Sequence, residues 1–172
     1  IFIVLTDIDS TSRGMIVGGN VVMLTAANTF TGDTVIRTGG RLFLGSNLCL
    51  QNSALDLGDA GSSIAGSLSL EAGTAGTGGI PGAEKTDHPT LGGLKGSRNF
   101  ASVITTANAN NTSRLPADQV LGLTLNVAAG NICDYTGAVT EMAAGTYLTK
   151  TGAGTQILGG ANTYTGPTTV NA

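Results

Sequence analysis

Residues Thr149 to Ala172 read TKTGAGTQILGGANTYTGPTTVNA, and this stretch carries the clearest pattern in the chain. Short runs of threonine, valine, isoleucine and leucine alternate with turns that contain glycine. Branched side chains favour an extended backbone, and glycine favours tight turns. The stretch therefore predicts several short strands joined by tight turns.

An earlier part of the chain repeats this stretch. When Gly152 is placed over Gly18, the stretches Gly152 to Val170 and Gly18 to Ile36 align with eight identities. Self-similarity at a fixed offset is the mark of repeat architectures. We therefore predict two equivalent repeat segments, residues 14–38 and 148–172, within a single solenoid that spans residues 1–172.

The composition predicts an all-β protein and excludes several classes of function. Glycine accounts for 27 of 172 residues, charged residues for 11% and aromatic residues for 4%. An apolar content of 41% with a net charge of −3 is unlike the composition of disordered chains. The eight basic residues are scattered, which argues against a nucleic-acid surface. No apolar run reaches the roughly 18 residues of a membrane span, so no direct membrane insertion is expected.

Short strands recur at even spacing along the chain. Residues Met15 to Gly45 alternate strands of about four residues with Gly or Asn turns, as in the coils of a β-solenoid. Alternation in Ile64 to Leu70 and in Val120 to Val127 predicts strands with one buried side. The residues expected to point inward are Leu68, Leu70, Leu121, Leu123 and Leu125, and those expected outward are Ser67, Ser69, Gly122, Thr124 and Asn126.

Residues 71–115 interrupt this regularity and predict an insertion on the side of the solenoid. Residues 72–82 are mostly Gly, Ala and Thr. His88 lies beside Asp87, but neither a nucleophile nor a second carboxylate accompanies the pair in a motif. The pattern therefore favours a polar loop over a catalytic site.

Two cysteines and four carboxylates are the remaining candidate site residues. Cys49 and Cys133 read as small buried hydrophobes, or as a disulfide if the chain is extracellular. A metal pair is disfavoured, because no close Cys or His accompanies either cysteine. The carboxylates are too sparse in sequence to place in one cleft, and they are Asp56, Asp59, Glu71 and Glu84. We predict no catalytic, cofactor-binding or metal site, and no enzymatic activity.

The first five residues predict a contact surface. Ile1, Phe2, Ile3, Val4 and Leu5 form an apolar run with no polar alternation. Such a run is either an inner strand of the first coil or a strand donated to a neighbouring molecule. With Tyr164 and Val170 of the last repeat segment, these residues form the predicted assembly interface.

Five segments of the chain resemble the passenger-associated repeats of bacterial autotransporters, also described as autotransporter-associated β-strand repeats. The segments are Leu148 to Thr155, Gly160 to Gly166, Thr168 to Ala172, Leu50 to Gly58 and Leu91 to Ser97. The resemblance covers roughly residues 14 to 172 and departs from the family where Glu71 to Pro89 is expanded. It implies a right-handed parallel β-helix outside the cell, and it carries no catalytic residues.

Coils of roughly 20 to 25 residues would give seven or so coils. The function expected first is structural: a building block of a bacterial surface fibre, sheath or stalk, which stacks end to end on copies of itself or on further tandem repeats. The alternative is an adhesin or glycan-binding passenger domain, with residues 71–115 as the binding loop. A polysaccharide-cleaving enzyme would need clustered carboxylates, which the sequence does not show.

Overall fold

The chain folds as a β-solenoid of about six turns. The computed structural model describes residues 14–59, 61–73, 84–106 and 114–171. Its strands are β1 (Met15–Val17), β2 (Val21–Leu24), β3 (Thr34–Ile36), β4 (Arg41–Leu44), β5 (Leu55–Asp56), β6 (Ser67–Glu71), β7 (Thr90–Leu91), β8 (Leu94–Lys95), β9 (Arg114–Leu115), β10 (Gly122–Asn126), β11 (Ile132–Tyr135), β12 (Tyr147–Thr151), β13 (Thr155–Leu158) and β14 (Thr168–Val170), and its helices are α1 (Phe100–Val103) and a 3-10 turn (Ala117–Gln119). The all-β solenoid predicted from the sequence is confirmed.

Three parallel sheets form three faces of the solenoid. The first face stacks β1, β3, β5 and β8, and a bridge between Gly96 and Tyr135 continues it into β11 and β13. The second face stacks β2, β4 and β6, and the third stacks β7, β10, β12 and β14. Paired strands on each face are stacked at a spacing of about 4.8 Å.

The coils differ in length, and this explains why there are about six rather than seven. The step along the chain from Met15 to its partner Thr34 is short, and the step from Leu55 to its partner Leu94 is about twice as long. The step from Gly96 to its partner Tyr135 is equally long. Both long steps overlap residues 71–115. Residues 74–83 and 107–113 lie outside the described residues, so the extent of the insertion stays a prediction.

After β6, the second face no longer consists of parallel strands alone. Leu68 forms a parallel bridge with Ile104, which directly follows α1. The neighbouring residues Leu70 and Glu71 pair with β9 in the antiparallel direction. The chain therefore leaves the regular coil after Ile104 and returns as β9 against the same strand, so this sheet mixes parallel and antiparallel neighbours.

Leucine side chains fill the interior in stacks. Leu68 and Leu70 are buried and pair with buried residues of β4, as their alternation predicted. Ser69 points outward but is only 1% exposed, because residues beyond the regular coil cover this side and Ser69 Oγ donates to the Thr105 carbonyl. Leu123 and Leu125 are buried as predicted, whereas Leu121 is 46% exposed. The prediction for Leu121 was wrong because β10 begins only at Gly122, so the alternation does not extend to it.

The two repeat segments share their local structure but lie on different faces. In the first segment the chain passes from β1 through β2 and returns as β3 on top of β1, and in the last segment β12, β13 and β14 do the same. Asn28 and Asn162 each donate a 3.0 Å side-chain hydrogen bond to the carbonyl two residues earlier. However, the first coil starts on the first face and the last coil starts on the third face. The same motif is therefore rotated by one face between its two positions.

Candidate functional site

The last coil presents an unpaired surface at one end of the described solenoid. β13 and β14 are edge strands, each paired with a neighbour on one side. Ile157 is 43% exposed and Val170 is 71% exposed. A cavity of about 360 Å³ opens at this end of the solenoid, between the last two coils and the edge of β14. This end combines unpaired backbone groups with apolar side chains.

The cavity has an apolar floor and one positive charge. Its floor includes Leu125, Leu148 and Leu158, which belong to three strands. Lys150 pairs with Leu125 below and with Val170 above, so it occupies an inward position. Its Nζ donates to the carbonyls of Thr151 at 2.8 Å and Gly152 at 2.5 Å, which places the ammonium at the rim.

Glu141 fastens the last coil to the coil below it, and a hydroxyl contact within the last coil joins Tyr164 to Thr168. The Glu141 carboxylate accepts hydrogen bonds from Thr165 N and Thr165 Oγ1, each at 2.7 Å, and from Gly145 N at 2.6 Å. The hydroxyl of Thr165 is the main cause that lowers the pKa of Glu141. Tyr164 packs against the main core, and its hydroxyl lies 2.7 Å from Thr168 Oγ1. These contacts hold the edge strand β14 in place.

Gln156 links three successive rungs of the first face. Its Nε2 donates to the carbonyls of Leu94 and Cys133, at 2.9 and 3.1 Å. Its Oε1 accepts a 2.9 Å bond from Leu94 N. The side-chain amide therefore takes the place of a peptide group opposite Leu94, where β8 and β11 are joined only through the Gly96 bridge. No pattern in the sequence singled out this residue.

Two of the predicted interface residues, Tyr164 and Val170, lie in the described part of the chain. Ile1, Phe2, Ile3, Val4 and Leu5 lie outside the described residues. Val170 lines the cavity at the last coil, and Tyr164 lies on the same coil with its ring turned toward the core. The structure also places Leu148, Lys150 and Leu158 at this surface. The alternation within β12 is the sequence signal that could have indicated Leu148 and Lys150.

The two cysteines occupy separate core clusters. Cys49 and Cys133, the candidate disulfide, are both buried free thiols in this structure. Burial raises the pKa of the Cys49 thiol to about 11, and its Sγ donates to the Leu24 carbonyl. Burial also raises the pKa of Cys133, which lies directly against Gly93. Both thiols are therefore held in the unreactive, protonated form at neutral pH.

The carboxylates do not converge on one site. Asp56 accepts from Gly58 N, and Glu84 accepts from Ser46 Oγ. Glu71 is buried, with its Oε2 3.6 Å from Arg114 Nη1. Each of these carboxylates is engaged by its own local partner, and the described residues contain no cluster of three groups suited to a metal ion.

The Asp87 and His88 pair forms a small surface cluster. His88 Nδ1 lies 2.6 Å from Asp87 Oδ1, and Lys85 Nζ lies 3.0 Å from Asp87 Oδ2. Desolvation acts to raise the pKa of Asp87, but the hydrogen bonds from Lys85 and His88 outweigh it and the pKa is lowered. Within the described chain, the imidazole makes no hydrogen bond to a hydroxyl or thiol. This geometry suits a loop contact.

Within the parts of the chain that the structure describes, no helix has the length and apolar character that crossing a bilayer requires.

Comparison with known families identifies the repeat. Residues 17–42 and 148–172 match the family model of the passenger-associated-transport-repeat. The resemblance drawn from the sequence is thereby confirmed at both repeat segments. No curated protein and no solved structure matches the chain. The chain is a β-solenoid in which two segments match the passenger-associated-transport-repeat.

Proposed function

We propose that this chain belongs to the passenger part of a secreted bacterial surface protein and serves as a structural element of a fibre, sheath or stalk. Its coils would stack end to end on copies of itself or on further tandem repeats. The family match supports a secreted or surface location, and the solenoid fold supports a structural role over an enzymatic one. The carboxylates, each bound to its own local partner, also favour a role without catalysis.

One observation carries the stacking proposal. The coil at Gly18 to Ile36 and the coil at Gly152 to Val170 share their sequence pattern and local structure. In the first copy, β2 is covered by β4 and β3 by β5, in parallel register. In the second copy, the equivalent strands β13 and β14 have a free edge among the described residues. We infer that the last coil is shaped to receive another parallel coil.

The exposed end formed by β13 and β14 has unpaired strand edges and an apolar cavity, and both favour association. Unpaired strand edges template further pairing, and covering the cavity would remove apolar side chains from water. Contacts between different surfaces of identical units do not close, and they generate filaments. A parallel coil placed on β13 and β14 would continue the first and third faces by one rung.

Sedimentation and negative-stain microscopy over a range of concentrations test this proposal. We expect the protein to form rods or filaments, whereas a Val170→Lys variant stays near the 17.1 kDa monomer, because a second charge would enter the cavity beside Lys150. The matched control is Ile132→Lys. Ile132 is 66% exposed, but it lies on the side of the first face and outside the cavity.

Discrete monomers of the unmodified chain at high concentration would refute assembly by separate subunits. Equal loss of rods in Val170→Lys and Ile132→Lys would show that the last coil is not the contact surface. The mass of the intact natural protein then distinguishes a subunit of about this size from a long tandem chain.

A further inference from the structure

One asparagine occupies the same place in both copies of the repeated motif, but its surroundings differ between the two. Asn28 aligns with Asn162, and each side-chain Nδ2 donates to the carbonyl two residues earlier at 3.0 Å. Asn28 Nδ2 also donates to the Cys49 carbonyl, which lies on the next coil, at 3.1 Å. Among the described residues, Asn162 Nδ2 has no second acceptor of this kind. One of its two amide hydrogens is therefore left for a further coil.

The Asn162 amide is oriented by the coil below it. Its Oδ1 accepts a 2.8 Å hydrogen bond from Val139 N on that coil. Because Oδ1 and Nδ2 point in different directions from the same carbon, the remaining amide hydrogen faces the open end of the solenoid. Around Asn28 a coil fills the corresponding space, where Gln51 Nε2 also donates to the Asn28 carbonyl at 3.2 Å. Asn28 is therefore buried, whereas Asn162 is only half-buried.

The apolar side chains of the two motif copies show the same contrast. Leu24, Phe30 and Ile36 are each at most 4% exposed beneath the coil that follows them. Their counterparts in the last coil are all more exposed, and they are Leu158, Tyr164 and Val170. A coil placed over Asn162 would therefore remove these three side chains from water as well.

We propose that Asn162 determines which coil can stack on the last coil, and that a second copy of this chain supplies that coil. This inference rests on the stacking function proposed above. The partner coil has to run parallel and to place a backbone carbonyl over Asn162 Nδ2, as Cys49 does over Asn28. A coil in a different register would cover the amide hydrogen without offering an acceptor, which disfavours that register.

A second copy is the occupant because the opposite end of the solenoid offers the complementary edge. The strands β1 and β2 of the first coil are edge strands among the described residues, and they expose Ile16 and Val21. Two copies stacked head to tail keep their strands parallel, as within each solenoid. Two last coils placed against each other would run antiparallel and could not reproduce the contact between Asn28 and Cys49.

Replacement of Asn162 by aspartate tests this inference, with rod formation measured by sedimentation over a range of concentrations. Aspartate keeps an oxygen for Val139 N but replaces the amide donor with an oxygen that repels a carbonyl. We expect the concentration at which rods appear to rise by about tenfold or more. The matched control is Asn131→Asp, which adds the same charge at an exposed position one coil below and should change that concentration by less than about twofold.

Two measurements separate a folding defect from a lost contact between copies. Circular dichroism melting of the monomers should show Asn162→Asp close to the unmodified protein, whereas Asn28→Asp, whose amide is already covered, should melt at a lower temperature. If Asn162→Asp also melts lower, hydrogen exchange of the Asn162 side-chain amide in the unmodified protein decides. Exchange about tenfold or more slower in rods than in monomers would support the inference, and equal exchange would overturn it.

The outcomes distinguish this inference from the function on which it rests. Rods that form at the same concentration with Asn162→Asp as with Asn131→Asp would overturn the role of Asn162 and leave stacking itself intact. Absence of rods from the unmodified protein would instead refute assembly from separate copies, and with it the second copy as the partner.

Discussion

Replacement of Gln156 by methionine tests whether its amide holds the first face together. Methionine keeps the length of the side chain but removes both the donor and the acceptor. Four hydrogen bonds would be lost, those with Leu94 N, Leu94 O, Cys133 O and the exposed Ile157 O. Because Leu94 is fully buried, its peptide groups would be left without partners.

The expected cost follows from these groups. A buried polar group without a partner costs about 1–3 kcal/mol, so the variant should lose about 2–4 kcal/mol of unfolding free energy. For a chain of this size, this corresponds to a fall in Tm of about 5–12 °C. Urea unfolding followed by circular dichroism gives the free energy, and hydrogen exchange at the Leu94 amide gives the local effect. The amide should lose its protection from exchange.

Gln119→Met is the matched control for the loss of a glutamine side chain. Gln119 is exposed in the 3-10 turn, and its side chain makes no hydrogen bond among the described residues. Gln119→Met should therefore change the unfolding free energy by less than about 0.5 kcal/mol. If Gln156→Met were no more destabilising than Gln119→Met, the idea that this amide replaces a peptide group would be wrong.

Three further predictions concern single residues. The pKa of Glu141 is lowered mainly by the Thr165 hydroxyl. The stabilisation that the Glu141 carboxylate provides is therefore present above about pH 4.5 and is lost as pH falls through the lowered pKa. Glu141→Gln should flatten the acid side of a plot of unfolding free energy against pH. Burial raises the pKa of Cys49 from 9.0 to about 11, so its contribution is present below pH 9 and is lost as pH rises toward 11. Mass spectrometry after iodoacetamide treatment at pH 8 should find Cys49 modified only when the protein is unfolded. Gly93 has φ +140°, and a Cβ there would overlap with Cys133 Sγ, so Gly93→Ala should cost about 2–4 kcal/mol in urea unfolding. Gly61→Ala also has a positive φ but meets open space, so it should cost about 1–2 kcal/mol; equal costs would show that the contact with Cys133 is unimportant.

Strand periodicity in the sequence predicted the parts of the fold that depend on neighbouring residues. Alternation placed Leu68, Leu70, Leu123 and Leu125 inside, because a strand exposes its two sides in turn. It failed at Leu121, which lies just outside the strand. Glycine-containing turns and the repeated motif predicted the solenoid, because each coil is built from these same local elements.

Contacts between residues of different coils could not be predicted from the sequence. Gln156 bonds to Leu94, which lies far earlier in the chain, and no local pattern marks a side chain that reaches across a rung. Glu71 and Arg114 meet because β9 returns in the antiparallel direction, whereas the solenoid pattern predicts parallel neighbours.

The repeated motif is rotated by one face because the chain between its two copies does not make a whole number of turns. The motif would return to its original face only if the chain between the two copies made a whole number of turns. From β1 the chain makes four full turns on the first face, through β3, β5, β8 and β11, and then reaches β12 on the third face, so the motif returns one face short of a fifth turn. In a rod made of such units, as we propose, each unit would be turned by one face relative to the one before it. A feature on the side of one unit would then wind around the rod and return to the same side after three units.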